Sequence, residues 1–313
     1  MSINYFYNRL KEYGVFFVLV LIILLSAILS DSFMTSRNII NILGQTSMIG
    51  IIALGQTFFI LTAVIDLSVG SILTLSLIFI AGLIPAIGLF PALLVGIILG
   101  VLVGFFNGLG VTFGKLPPFI ITLGMLSILR GVVFIYSGGS PIPILDERVF
   151  SFGIGTLFGI PYIVLLYLFL IIISAIILKV TPFGRSVYAI GSNEEAAHLS
   201  GVPVARYKIY VYMISGFLSA VAAIVFAARM GVGTPVAAGD LNLDSIAAVV
   251  VGGTSLMGGK GTIIGTVFGT LIIGILANIM NLTGVNPFIQ RLLKGALIVG
   301  AVLIMQKSNK SKI

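Results

Sequence analysis

The sequence predicts an all-α polytopic membrane protein of about ten transmembrane helices, some of them broken or re-entrant. Three observations carry that prediction. Apolar residues make up 59% of the 313 positions and charged residues only 8%, against about 25% charged in a soluble domain. Residues 67–114 carry no charge at all, which leaves room for two crossings at about 20 residues each. The apolar runs are continuous rather than alternating, so a β-barrel is excluded.

The spans fall at 14–30, 44–62, 67–87, 91–113, 118–137, 161–179, 209–228, 244–257, 262–282 and 290–306. The first has no small-residue cleavage site before Asp31 and reads as a retained span, not a signal peptide. The second and third are joined by TAVIDLSVGS with no polar loop, and the eighth is too short to cross alone. Such breaks are tolerated only where protein or water satisfies the backbone. Asp66 or Ser68 is expected to cap the third span, and Asp244 or Ser245 the eighth. Two spans carry glycine ladders, Gly96-Gly100-Gly104-Gly108 and Gly261-Gly265-Gly269, which make smooth stripes for close helix packing.

Ten spans put both termini on one side, and charge decides which. With the amino terminus in the cytoplasm, Arg9, Lys11, Lys115, Lys179, Arg185, Arg206, Lys208, Lys260, Lys307, Lys310 and Lys312 lie inside. Only Arg37, Arg148, Arg229 and Arg291 lie outside, as the positive-inside rule requires. The net charge of +8 therefore reflects topology and implies no nucleic-acid partner.

Between two charge-free spans lies a polar segment, 181–208, with Arg185, Glu194, Glu195, Arg206 and Lys208. Within it SNEEAAHLSG reads as a short soluble-type helix with two early acids and Gly201 as its stop. A membrane protein that holds such a helix out into water has something there to contact.

No catalytic constellation is visible. There is no cysteine for thiolate chemistry or a disulfide, and the lone His198 cannot build a metal cluster or a triad. GGTSLMGGKGT (252–262) fails the phosphate-loop pattern, with Thr254 where the first Gly must stand and Gly261 where Ser or Thr must follow the Lys. If ATP is used, another chain binds it. Asp66, Ser68, Asn107, Thr122, Asn278 and Asn281 are candidate linings of a translocation pathway; interhelical bonding is the alternative for the amides and Thr122. Arg130, in mid-span, is read as a structurally paired charge. A pathway of amides and hydroxyls suits an uncharged polar solute. It offers no Na⁺ cage and no relay of acids, which weighs against an ion-coupled secondary transporter.

AIGSNEEAAHLSGV (189–202), LDSIAAVVVGGTSLMGGKGTIIGT (243–266), IDLSVGS (65–71) and LPPFIITLGMLSILRG (116–131) resemble the permease subunits of bacterial ABC importers of the ribose, xylose and galactose type. The likeness runs from about Phe33 to Leu303, and the ribose branch is the nearest. Nucleoside and autoinducer-2 permeases share the pattern. The resemblance implies one transmembrane permease domain over 1–313 in the bacterial plasma membrane, without ATPase activity or cofactor of its own. It implies three partners: a second, identical permease chain, a cytosolic ATPase with two nucleotide-binding halves, and an extracytoplasmic sugar-binding protein. It also makes 181–208 the coupling segment, with Arg185, Gly191, Asn193, Glu194, Glu195, Ala196, Ala197, His198 and Gly201 at the ATPase. Four positions depart from the family: Ser192 replaces a common Gly, His198 an Arg, Asn242 a Glu, and Ile279 a Gly.

Overall fold

A computed structural model describes residues 14–310. Arg9, Lys11 and Lys312, which count towards the charge bias, lie outside the described residues. Each of the ten expected spans has its helix: α1 (Gly14–Leu29), α2 (Ser36–Leu61), α3 (Val69–Ile87), α4 (Leu89–Thr112), α5 (Pro118–Ser137), α7 (Tyr162–Val180), α10 (Val204–Met230), α11 (Leu241–Val251), α12 (Ile263–Leu282) and α13 (Pro287–Lys310). Three short helices lie between them: α6 (Glu147–Ile154), α8 (Pro182–Ser192) and α9 (Glu194–Leu199). Seven helices, α2, α3, α4, α5, α7, α10 and α12, are long and apolar enough to cross a membrane.

α2 is the axis of the bundle. Its face is buried almost continuously from Thr46 to Leu61, against α7, α10, α11 and α12. Thr57 on that axis is bonded across to Thr266 by a 2.7 Å hydroxyl contact, as most buried polar groups are.

The first glycine ladder has a specific partner. α4 and α10 make the most extensive helix pair. A Cβ at Gly100 would meet the Gly216 carbonyl, one at Gly104 the Tyr212 carbonyl, and one at Gly108 the Ile209 backbone. Another face of α4 carries Phe90, Leu94, Ile98, Leu102 and Phe106, all exposed at four-residue spacing. One helix thus offers small residues to protein and large apolar ones to its surroundings. In the second ladder, Gly265 and Gly269 bring α12 onto the Gly252 and Ala248 carbonyls that end α11.

The eighth span is short, as expected, but it begins earlier. α11 has 11 residues, about 16 Å at 1.5 Å per residue, roughly half the hydrocarbon core. It stops at Gly252 and Gly253, the latter at φ +89°. Asp244 and Ser245 do not cap it. Both lie inside the helix; Ser245 bonds back to the Asn242 carbonyl, and Asp244 pairs with Lys294 of α13 at 2.7 Å. The second and third spans are each unbroken helices, and the break lies wholly in 62–68.

At the end opposite 181–208, two connecting segments are tied together. Strand β1 (Ile142–Pro143) pairs antiparallel with β4 (Val232–Gly233), while β2 (Thr156–Leu157) and β3 (Ile160–Pro161) form a small hairpin. α6 is capped by Asp146, which accepts from the Arg148 N–H at 2.9 Å. The Arg148 side chain, bonded to the same carboxylate at 2.7 Å, holds the Asp146 carboxyl below the usual carboxylate range.

Gly104→Ala should destabilise the fold by about 1–3 kcal/mol, because the new methyl has only backbone to displace. Gly124→Ala, whose Cβ would enter open space, should leave stability unchanged. SDS unfolding in mixed micelles measures both.

Candidate functional site: the polar helix and its anchor

The polar segment forms two helices in tandem. Thr181 caps α8 by accepting from the Gly184 N–H at 3.2 Å, and Asn193 caps α9 by accepting from the Ala196 N–H at 2.9 Å. Glu194 and Glu195 occupy the first turn of α9, where the positive end of the helix dipole favours acids. Gly201, at φ +84°, ends the unit in a conformation that suits glycine.

One face of α9 is anchored and the other is free. Ala197 is buried against Ile190 and Val204. Glu194 receives both oxygens' worth of Lys208, at 2.6 and 2.7 Å, which ties α9 to the start of α10. Asn193, Glu195, Ala196 and His198 are exposed, as is Arg185, whose guanidinium donates to the Val180 carbonyl at 3.3 Å. Leu199, not among the expected contact residues, is 80% exposed beside them. Sequence alone could not separate it from an inward-facing leucine.

Gly191 lies at the root of this unit. A Cβ there would strike the Leu61 carbonyl at the end of α2 and the Gly259 N–H. Those two groups bond to each other at 2.9 Å. Tyr188 donates to the Gly261 carbonyl at 2.8 Å. The end of α8, the end of α2 and the 255–261 turn therefore meet backbone to backbone at Gly191, with the Tyr188 side chain as a second tie. A cleft of about 770 Å³ runs beside α9, bounded by Lys115–Pro118, Glu194, Glu195, His198 and Lys208.

Asp66, Ser68 and Asn107 do come together, in a buried knot. The Asp66 carboxylate accepts from the Ser68 N–H and hydroxyl, each at 2.6 Å; Asn107 donates to the Ser68 hydroxyl at 3.0 Å. Ser68 occupies the N-cap position, but Asp66 supplies the bond. Gln56 donates to the Asp66 carbonyl at 2.6 Å, and Asn242 grips both the Leu67 carbonyl and the Gly70 N–H. All three expected residues are at most 1% exposed, so they hold the start of α3. Gln56 and Asn242 complete the knot; as neutral amides they carry no signal of partnership in the sequence.

Thr122 is buried and bonds within its own helix, to the Phe119 carbonyl at 3.4 Å. Asn278 forms a reciprocal amide pair with Asn38, at 2.8 and 3.0 Å, joining α12 to α2. Asn281 is exposed and accepts from Gln290 at 2.9 Å, holding α13. Arg130, expected to be paired, has no ion pair or hydrogen bond among the described residues. It lines a cavity of about 240 Å³ with Ser71, Thr74, Pro235, Ala238 and Asn242.

Residues 38–302 match the family described as branched-chain amino acid transport system / permease component. The chain is 43% identical to the ribose import permease protein of Bacillus subtilis (strain 168), over 97% of this chain and 96% of that one. It is 37% identical to the L-arabinose transport system permease protein of Escherichia coli (strain K12), over 96% and 92% of the two chains. It is 36% identical to a probable ABC transporter permease protein of the same organism, over 100% and 96%. No solved structure matches.

Asp66→Ala should cost about 1–3 kcal/mol, since it strands a buried N–H and hydroxyl. Lys208→Ala should cost at most about 1 kcal/mol, because its partner Glu194 is half exposed. Chemical unfolding in detergent separates a buried knot from a surface latch.

Proposed function

The chain belongs to the branched-chain amino acid transport system / permease component family, and on that premise we propose that it translocates a monosaccharide of the ribose type. It is a permease subunit of a sugar importer, spanning the inner membrane in several passes, and ATP is hydrolysed by a separate ATPase subunit. Such an importer also works with a substrate-binding protein. The observation that carries the choice of solute is the near-full-length likeness to the ribose import permease.

The functional unit is two identical copies, with both termini in the cytoplasm. The charge bias supports this orientation. It puts α8 and α9 on the ATPase side and the β1–β4 junction on the side of the binding protein. The contact surface for the ATPase is Arg185, Asn193, Glu195, Ala196, His198 and Leu199. Glu194 and Ala197 act from beneath, the first through Lys208 and the second by packing, while Gly191 and Gly201 set the backbone. Residues 142–143 and 232–233 are laddered together, so the two outer segments present one docking surface.

In this mechanism, closing of the ATPase draws the two α9 helices together. The displacement passes through the Gly191–Leu61–Gly259 seam to α2, and rigid-body motion opens the pathway to the other side. The ATPase can drive this only by binding α9 differently in its two states.

Glu195→Lys combined with Leu199→Asp changes only exposed side chains. ATP-dependent ribose uptake in proteoliposomes holding permease, ATPase and binding protein should fall at least about tenfold, with the permease still monodisperse. Uptake at the normal rate would refute the coupling surface. Gradient-driven uptake by the permease alone would favour a secondary transporter instead.

A further inference from the structure

The cavity beside α5 holds an arginine that the packing of the helices does not account for. Arg130 stands about 18 Å along α5 from Pro118, at 1.5 Å per residue, within a helix apolar enough to span the membrane. An arginine at that depth is costly unless it is paired or faces a water-filled space. No partner is present among the described residues, and the acids are already committed. Asp66 is bonded to Ser68, Asp244 to Lys294, Asp240 to Arg291, Asp146 to Arg148 and Glu194 to Lys208. The remaining described acids, Asp31, Glu147 and Glu195, stand in connecting segments or in α9, away from the spans. Arg130, exposed at the cavity wall, is therefore left without a carboxylate partner among the described residues.

Its surroundings set a few polar groups among apolar ones, Leu126, Val133, Phe134 and Val236. Ser71 and Asn242 border the same space, and Thr74 is fixed there by accepting from the Ala238 N–H at 3.1 Å. The volume of about 240 Å³ is that of about eight waters at about 30 Å³ each, room for one small polyol. A guanidinium offers five donors and no acceptor. It can bond the oxygens of a neutral sugar, and it repels any cation that follows.

We propose that Arg130, with Ser71 and Asn242, is the point in the membrane where the passing sugar is contacted, and that its unneutralised charge keeps cations out of the pathway. This rests on the sugar-importer reading. The test uses the assembled transporter in proteoliposomes, with radiolabelled ribose, a sodium-sensitive dye inside, and ATP hydrolysis measured together. In Arg130→Met, ribose imported per ATP should fall about tenfold, the loss of one charged hydrogen bond, while hydrolysis stimulated by the binding protein persists. Sodium should enter during turnover. Arg130→Lys should restore sodium exclusion, and Ser71→Ala should reduce ribose per ATP without a sodium leak. A wild-type ribose-to-ATP ratio without a leak in Arg130→Met overturns the proposal. If Arg130→Met does not assemble, wild-type ratios in both Arg130→Lys and Ser71→Ala overturn it. A wild-type transporter that imports no ribose with ATP strikes the importer reading itself, and this proposal with it.

Discussion

A short helix in water can move a membrane core only if nothing yields between them. Here the connection is made of backbone. Gly191 lies where any Cβ would strike the Leu61 carbonyl, and Leu61 in turn accepts from the Gly259 N–H. Long side chains at such a joint would swing between rotamers and absorb motion. Main chain against main chain does not. α8 and α9 are thereby joined to the end of α2, a largely buried helix, and to the turn that follows α11.

The remaining architecture keeps that axis stiff. The α4–α10 seam runs glycine against backbone from Gly100 to Gly108. The knot of Asp66, Ser68, Gln56, Asn107 and Asn242 pairs the main-chain groups at the break in 62–70, which lipid could not satisfy. Because Asn242 stands at the start of α11 and bonds the Leu67 carbonyl and the Gly70 N–H from there, the short helix α11 is fixed to the break before α3. Asn242 also borders the Arg130 cavity, so the device that closes the backbone and the wall of the polar space share a residue.

Much of this was legible in the residues. Runs with little or no charge placed the ten expected spans, because the cost of burying charge in lipid is large and leaves a gap in the sequence. Helix ends were less visible: α2 begins at Ser36 under a Thr35 cap, well before the expected 44. The helix at 194–199 was readable from Asn193, its acids and Gly201, since caps are local chemistry. What stayed hidden was pairing across distance. Asn38 with Asn278, and Lys294 with Asp244, are single polar residues whose partners lie far along the chain. Asp66, Ser68 and Asn107 read in the sequence as candidate pathway linings beside Thr122, Asn278 and Asn281; that the three point into one buried knot depends on helix rotation that weak amphipathicity does not fix. The glycine ladder announced a close contact; Gly216, an isolated glycine on α10, gave no hint of being its partner.

On the proposed function, α9 projects into the cytoplasm and is gripped there by a separate ATPase. The chain has no cysteine, so a single Glu195→Cys substitution reports without background. A membrane-impermeant maleimide should label it in inside-out vesicles and not in right-side-out ones, and assembled ATPase should block the reaction. Labelling from the outer face, or labelling that the ATPase leaves untouched, would contradict the account.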